Sequence, residues 1–194
     1  MTADTSTVSP ALPAVDSPPD PYRSLTNWLA GLARTGNRGA IVDLQRPHHA
    51  SEALARAGRF APDDSIASRT PFEVTAYLFA AYHAGLPWAD NVRLYGSGDL
   101  GTAMRRIGSG ALRGPRDPGC DRLFKQIVAP GPLPRVRLEH AIKRLRNDDR
   151  FPPSWSQLAH DLAAWNDSEA AVRHQWARSF WAPRYHVQPK RTHA

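Results

Sequence analysis

Gly96-Ser97-Gly98-Asp99-Leu100-Gly101 matches the G-x-G-x-x-G spacing through which backbone amides meet a pyrophosphate. That chemistry needs a buried strand before the turn and a second strand after the helix. Here the preceding run, Val92 to Tyr95, is short and broken by Arg93, and no second strand follows. The glycines therefore read as a flexible lead-in to a helix. His48-His49 has Asp43 and Glu52 as its nearest carboxylates and no third histidine in register, so it reads as a solvated loop rather than a metal set. His160 and Asp161 are neighbours on a predicted helix, where side chains diverge by about 100°, which prevents a base–orienter pair. Asp63-Asp64 and Asp148-Asp149 sit beside turn residues and read as solvated or capping acids. Cys120 is the only cysteine; it has no adjacent histidine to activate it and excludes both a disulfide framework and a Cys-cluster zinc site. A single thiol fits a reducing cytoplasm. These residues supply no catalytic, cofactor-binding or metal-binding set.

The chemistry that the residue types do support is anion binding. The net charge of +7 is unevenly spread over the 194 residues. Residues 1–99 hold 8 basic and 10 acidic side chains, residues 100–150 hold 12 and 5, and residues 151–194 hold 5 and 3. The whole excess lies in the middle stretch, which points to an anionic partner, with nucleic acid ahead of a membrane surface. Of the 25 basic residues 22 are arginine, whose planar forks bridge phosphate oxygens. No apolar run approaches the roughly 20 residues that cross a bilayer.

The elements that must carry these charges are helical. Tyr22, Leu25, Trp28, Leu29 and Leu32 recur on one helix face that stops near Gly36, and Asn37 can cap a second helix with Ile41 and Leu44. A short helix runs through Leu54 to about Gly58, and residues 59–69 read as a loop. Thr70-Pro71-Phe72-Glu73 predicts a helix start by its capping threonine, first-turn proline and glutamate at the third position. Leu86 to Ser97 reads as a connector. In the basic half, Leu100, Met104 and Ile107 share a face, as do Leu123, Ile127 and Val128, and then Leu138, Ile142 and Leu145. Trp155, Leu158, Leu162 and Trp165 make a further stripe. Asn166-Asp167-Ser168 is expected to cap a last helix carrying Val172, Trp176 and Phe180. The tryptophans of these stripes read as core, while Trp88 and Trp181 lie near helix ends, where they could meet another subunit. With no pair of alternating runs to make a sheet, the fold is expected to be all-α, a helical bundle of two small packed lobes. Residues 22–97 and 98–184 form the lobes, preceded by a disordered tail (1–21) and followed by a basic tail (185–194).

Several fragments, in order, resemble one family. These are Leu25–Arg46 with its Trp-containing helix, Leu100-Gly101-Thr102-Ala103-Met104, Asp121–Val128, Ile142-Lys143-Arg144-Leu145, and Trp155–Trp165 followed by Trp176–Trp181. Together they resemble CasB, the small subunit of type I-E CRISPR Cascade, across Leu25 to Trp181. The resemblance implies a non-catalytic role in antiviral defence. It implies assembly as two copies, contact with the large subunit CasA and the backbone subunit CasC, and binding of CRISPR RNA and of target and displaced DNA strands. Guide pairing would carry sequence specificity while protein contacts hold backbone and stabilise the R-loop. Carried over by position, the backbone contacts are Arg46, Arg122, Lys143 and Arg144. Thr102 stands where the family often has a basic residue, and Arg105 and Arg106, one turn later, could replace it. Arg38, Lys125 and Arg137 are weaker additions. Such a role requires the cations of separate middle helices to converge on one track. The alternative is a free-standing helical DNA-binding transcriptional regulator, which would need a helix-turn-helix with base-reading side chains.

Overall fold

Asp20, Asn37, Ser51, Ser65, Asp99, Asp117 and Ser154 each accept a backbone N–H two or three residues on, and each starts a helix. These caps satisfy amides that the first turn leaves unpaired. The computed structural model describes residues 19–46, 51–85 and 91–182, without the side chains of residues 166–169. Its helices are α1 (Pro21–Arg34), α2 (Arg38–Leu44), α3 (Glu52–Gly58), α4 (Ile66–His83), α5 (Asn91–Tyr95), α6 (Leu100–Met104), α7 (Pro118–Ile127), α8 (Arg135–Asn147), α9 (Trp155–Ala163) and α10 (Trp165–Trp181). A two-residue hairpin, β1 (Gly108–Ser109) and β2 (Leu112–Arg113), pairs antiparallel between α6 and α7. The fold is all-α, as expected, with that hairpin as its one addition among the described residues. None of the described helices is long and apolar enough to cross a membrane. His48, His49, Trp88 and both far tails (1–18 and 183–194) lie outside the described residues.

Helix α4 is the centre, packed by α1, α2, α3, α8 and α9, while α10 closes over α6 and α9. Buried side chains on both sides of residues 97 and 98 join one cluster that includes Phe72, Phe79, Phe124, Trp155, Trp176 and Phe180. Burying each such side chain contributes roughly 1.5–3 kcal/mol.

The stretch Leu86 to Ser97, expected as a connector, carries the helix α5 at Asn91–Tyr95, and residues 86–90 lie outside the described ones. Three further local expectations are corrected. Helix α4 starts at Ile66, not Thr70: the Ser65 hydroxyl accepts the Ser68 amide at 3.1 Å, and the Asp63 carboxylate accepts the Ser65 amide at 2.8 Å. Pro71 then lies inside the helix, and Glu73 lies 3.5 Å from Arg69. The buried stripe of α7 is Cys120, Phe124 and Ile127, with Leu123 and Val128 only half-buried. Helix α10 begins at Trp165, so Asn166-Asp167-Ser168 falls within its first turn instead of before it.

Gly96 and Gly101 make close backbone approaches. A β-carbon on Gly96 would overlap the Pro153 carbonyl, and one on Gly101 would overlap the Trp176 carbonyl of α10. Ser97 donates its amide to the Pro152 carbonyl at 3.1 Å, and Ser154 donates to Gly98 at 2.8 Å. The lead-in to α6 is thus clamped on the α8–α9 connection rather than free.

Candidate nucleic-acid interface

The basic half of the chain is organised around the N-terminus of α7. Asp117 caps it, accepting the Cys120 amide on Oδ1 at 2.8 Å, while Arg144 of α8 donates to Oδ2 at 2.7 Å. The Cys120 amide first, and the Arg144 charge with it, hold the Asp117 carboxyl below its ordinary range. Arg144 therefore pins α8 to α7.

On the outer side of α7, Pro118, Asp121, Arg122, Lys125, Gln126 and Ala129 line a shallow depression. Lys125 Nζ lies 2.6 Å from Asp121 Oδ2, and Asp121 also accepts the Trp181 indole N–H at 3.0 Å. Those contacts hold the Asp121 carboxyl below its ordinary range, the lysine hydrogen bond being the largest cause. Trp181 also stands edge-on to Phe124, 5.1 Å between centroids, and remains 39% exposed. Arg122 is exposed, with no carboxylate within ion-pair distance among the described residues.

Helix α8 distributes its cations over several faces. Arg137 and Arg144, seven residues apart, share one face, and Arg137 stands exposed without an ion pair among the described residues. Lys143 lies 2.5 Å from Glu139, which also takes a hydrogen bond from the Tyr77 hydroxyl of α4. Burial pushes the Glu139 carboxyl up, but the Lys143 and Tyr77 hydrogen bonds outweigh it and leave its pKa lowered.

Arg105 and Arg106 each bond backbone carbonyls of other segments. Arg105 donates to the Ala182 carbonyl beyond α10 and to the Ser179 carbonyl at 3.5 Å. Arg106 donates to the Ser97 carbonyl and hydroxyl at 3.1 and 3.0 Å, and to the Phe151 carbonyl at 3.4 Å. Arg38 and Arg46 flank α2, both exposed and without an ion pair among the described residues, on a helix packed by α1, α3 and α4. The structure thus carries Arg122 and Lys125 on α7, and Arg137, Lys143 and Arg144 on more than one face of α8. It places Arg38 and Arg46 at the ends of α2, and turns Arg105 and Arg106 toward backbone carbonyls.

Sequence reasoning passed over one more group. Arg93, Arg113 and Arg150 gather with Arg106 where the hairpin meets the α8–α9 connection. The available signal was the run of turn glycines, Gly108, Gly110 and Gly114, between basic residues. Elsewhere, Asp161 and His160 stand 3.8 Å apart, too far for a hydrogen bond, as their helical spacing requires.

The chain and its fold both have counterparts among known proteins. The family model described as CRISPR-associated protein Cse2 matches residues 29–181. The fold is similar to the crystal structure of CasB from Thermobifida fusca, with a TM-score of 0.66 and 21% identity over 82% of this chain and 94% of that one. It is also similar to TTHB189, a CRISPR-associated protein of the Cse2 family from Thermus thermophilus (TM-score 0.61, 19% identity, 85% of this chain and 100% of that one). No curated protein matches the sequence.

Proposed function

The chain belongs to the CRISPR-associated Cse2 family, and from that premise we propose that it is the non-catalytic small subunit of a type I-E Cascade surveillance complex. In this role it binds nucleic-acid backbone and stabilises the R-loop. A second copy of itself, the large subunit CasA, the backbone subunit CasC, CRISPR RNA, and target and displaced DNA are its partners.

One observation carries the role in nucleic-acid binding. Arg38, Arg46, Arg122 and Arg137 stand in solvent with no carboxylate within ion-pair distance among the described residues. Such arginines meet a phosphate without first breaking an internal contact. Lys125 and Lys143 are held by exposed pairs four residues apart, worth only about 0.3–0.5 kcal/mol, which a phosphate can displace. Arg144 acts mainly by positioning α8 on α7. Heteroduplex formation nearly balances the DNA duplex it replaces, so a few backbone contacts that hold the opened strands suffice to tip it.

Co-expression with the other Cascade subunits and a guide RNA tests the assignment. The chain should co-purify with the complex, and its omission should shorten the lifetime of the open target. A complex that assembles and opens DNA equally well without it would overturn the assignment.

A further inference from the structure

Arg106 and Arg113 are held together at the base of the β1–β2 hairpin. Arg113 Nε donates to the Arg106 carbonyl at 3.3 Å, while the Arg106 guanidinium is fixed by Ser97 and by the Phe151 carbonyl. Neither guanidinium has a carboxylate within ion-pair distance among the described residues. Burial first, and the Arg113 charge next, lower the Arg106 pKa. Arg150 brings a third guanidinium, donating at 2.8 Å to the carbonyl of Gly108, the strand partner of Arg113; its Nε is buried without a hydrogen-bond partner.

Three carboxylates border the cluster and offset part of its charge, Asp99 acting on Arg106 and Asp149 on Arg93 and Arg150. Asp148 accepts the Gly108 amide at 2.8 Å, Asp149 lies 2.7 Å from Arg93, and Asp99 accepts the Thr102 amide and the Ser179 hydroxyl. Beside the arginines stands Phe151, 40% exposed, with Arg93 Cζ 5.5 Å from its ring centroid.

Gathering guanidinium groups at one place costs free energy that a bound anion offsets. An exposed ring beside guanidinium groups supplies the two components of a single-strand platform, a π-face for a base and cations for its phosphate. We propose that this cluster binds an unpaired nucleotide, with Arg106 and Arg113 on a phosphate and Phe151 stacked on the adjoining base. The site rests on the backbone-binding role proposed above and narrows it to single strands, because bases in a duplex offer no free face.

The test compares binding of the full chain to a thymidine oligonucleotide and to an abasic strand of equal length, which keeps the phosphates and removes the bases. The thymidine strand should bind roughly 5- to 100-fold more tightly. Phe151→Leu, which keeps bulk and removes the π-face, should abolish most of that preference and leave abasic binding unchanged. Arg113→Ala should weaken binding of both strands. If Phe151→Leu lowers the unfolding midpoint, a Phe151→Trp variant reads the same stack, its added indole being quenched by the thymidine strand and not by the abasic one. A base preference that survives Phe151→Leu, an unquenched indole, or tight binding with no base preference overturns the platform and leaves the backbone role standing. Binding of neither strand by the wild type would remove both.

Discussion

Asp161 Oδ2 accepts the Trp176 indole N–H at 2.6 Å, joining α9 to α10 in the interior of the bundle. Gln157 donates to the other oxygen at 2.7 Å. Burial pushes the Asp161 carboxyl above its ordinary 3.8, and the two donors pull it partly back. Trp176→Phe removes the shorter bond and leaves a buried carboxylate short of one donor. The variant should lose about 2 kcal/mol of stability in urea unfolding.

The same carboxyl makes stability depend on pH. Its folded pKa is raised, so the folded chain binds that proton more tightly than the unfolded chain does. Its contribution is fully present below pH 3.8 and is lost as pH rises through the folded value. Urea unfolding across that interval should show Asp161→Asn gaining on the wild type as pH climbs, and a parallel pair of curves would contradict this.

His83 has the opposite sign. Burial first, with the Arg93 and Arg146 charges added, pushes its pKa from 6.5 down to about 4, against a backbone hydrogen bond that raises it. The unfolded chain takes up this proton first, so stability rises with pH between those values and falls on acidification, by on the order of 3 kcal/mol. His83→Leu should therefore resist acid better than the wild type near pH 4.5, and the difference should close above pH 6.5.

Two glycines in helices predict opposite outcomes. Gly101→Ala drives a methyl into the Trp176 carbonyl where α6 meets α10, and should cost about 3 kcal/mol in thermal or urea unfolding. Gly31→Ala in α1 has open space around the new methyl and should stabilise by about 0.5–1 kcal/mol.

Arg144 and Lys143 are adjacent in sequence and unequal in structure. Arg144→Ala strips Asp117 of a partly buried partner and should lower stability by about 1–2 kcal/mol. Lys143→Ala removes an exposed pair with Glu139 and should leave the unfolding midpoint nearly unchanged.

That inequality marks where the sequence stopped being legible. Helix stripes such as Leu138, Ile142 and Leu145 could be read directly, because burial follows the 3.6-residue period. Phe124 was missed because α7 presents apolar residues on two sides and only packing selects the buried one. Two cap signals compete at the start of α4, and the earlier, Ser65, prevails over Thr70 with a proline left inside the helix. Asp121 to Lys125 and Glu139 to Lys143 carry a four-residue pairing signal visible in the sequence. The Asp117–Arg144 pair spans 27 residues and Arg106–Ser97 depends on how the loop folds back, so neither left a local trace.

The salt dependence of single-stranded DNA binding, measured for the wild type and for Arg122→Ala/Arg137→Ala, tests the backbone-binding role most directly. Each lost phosphate contact should flatten the log–log slope by roughly 0.7, so the double variant should lose about 1.4 while keeping its unfolding midpoint. An unchanged slope in a folded double variant would contradict it.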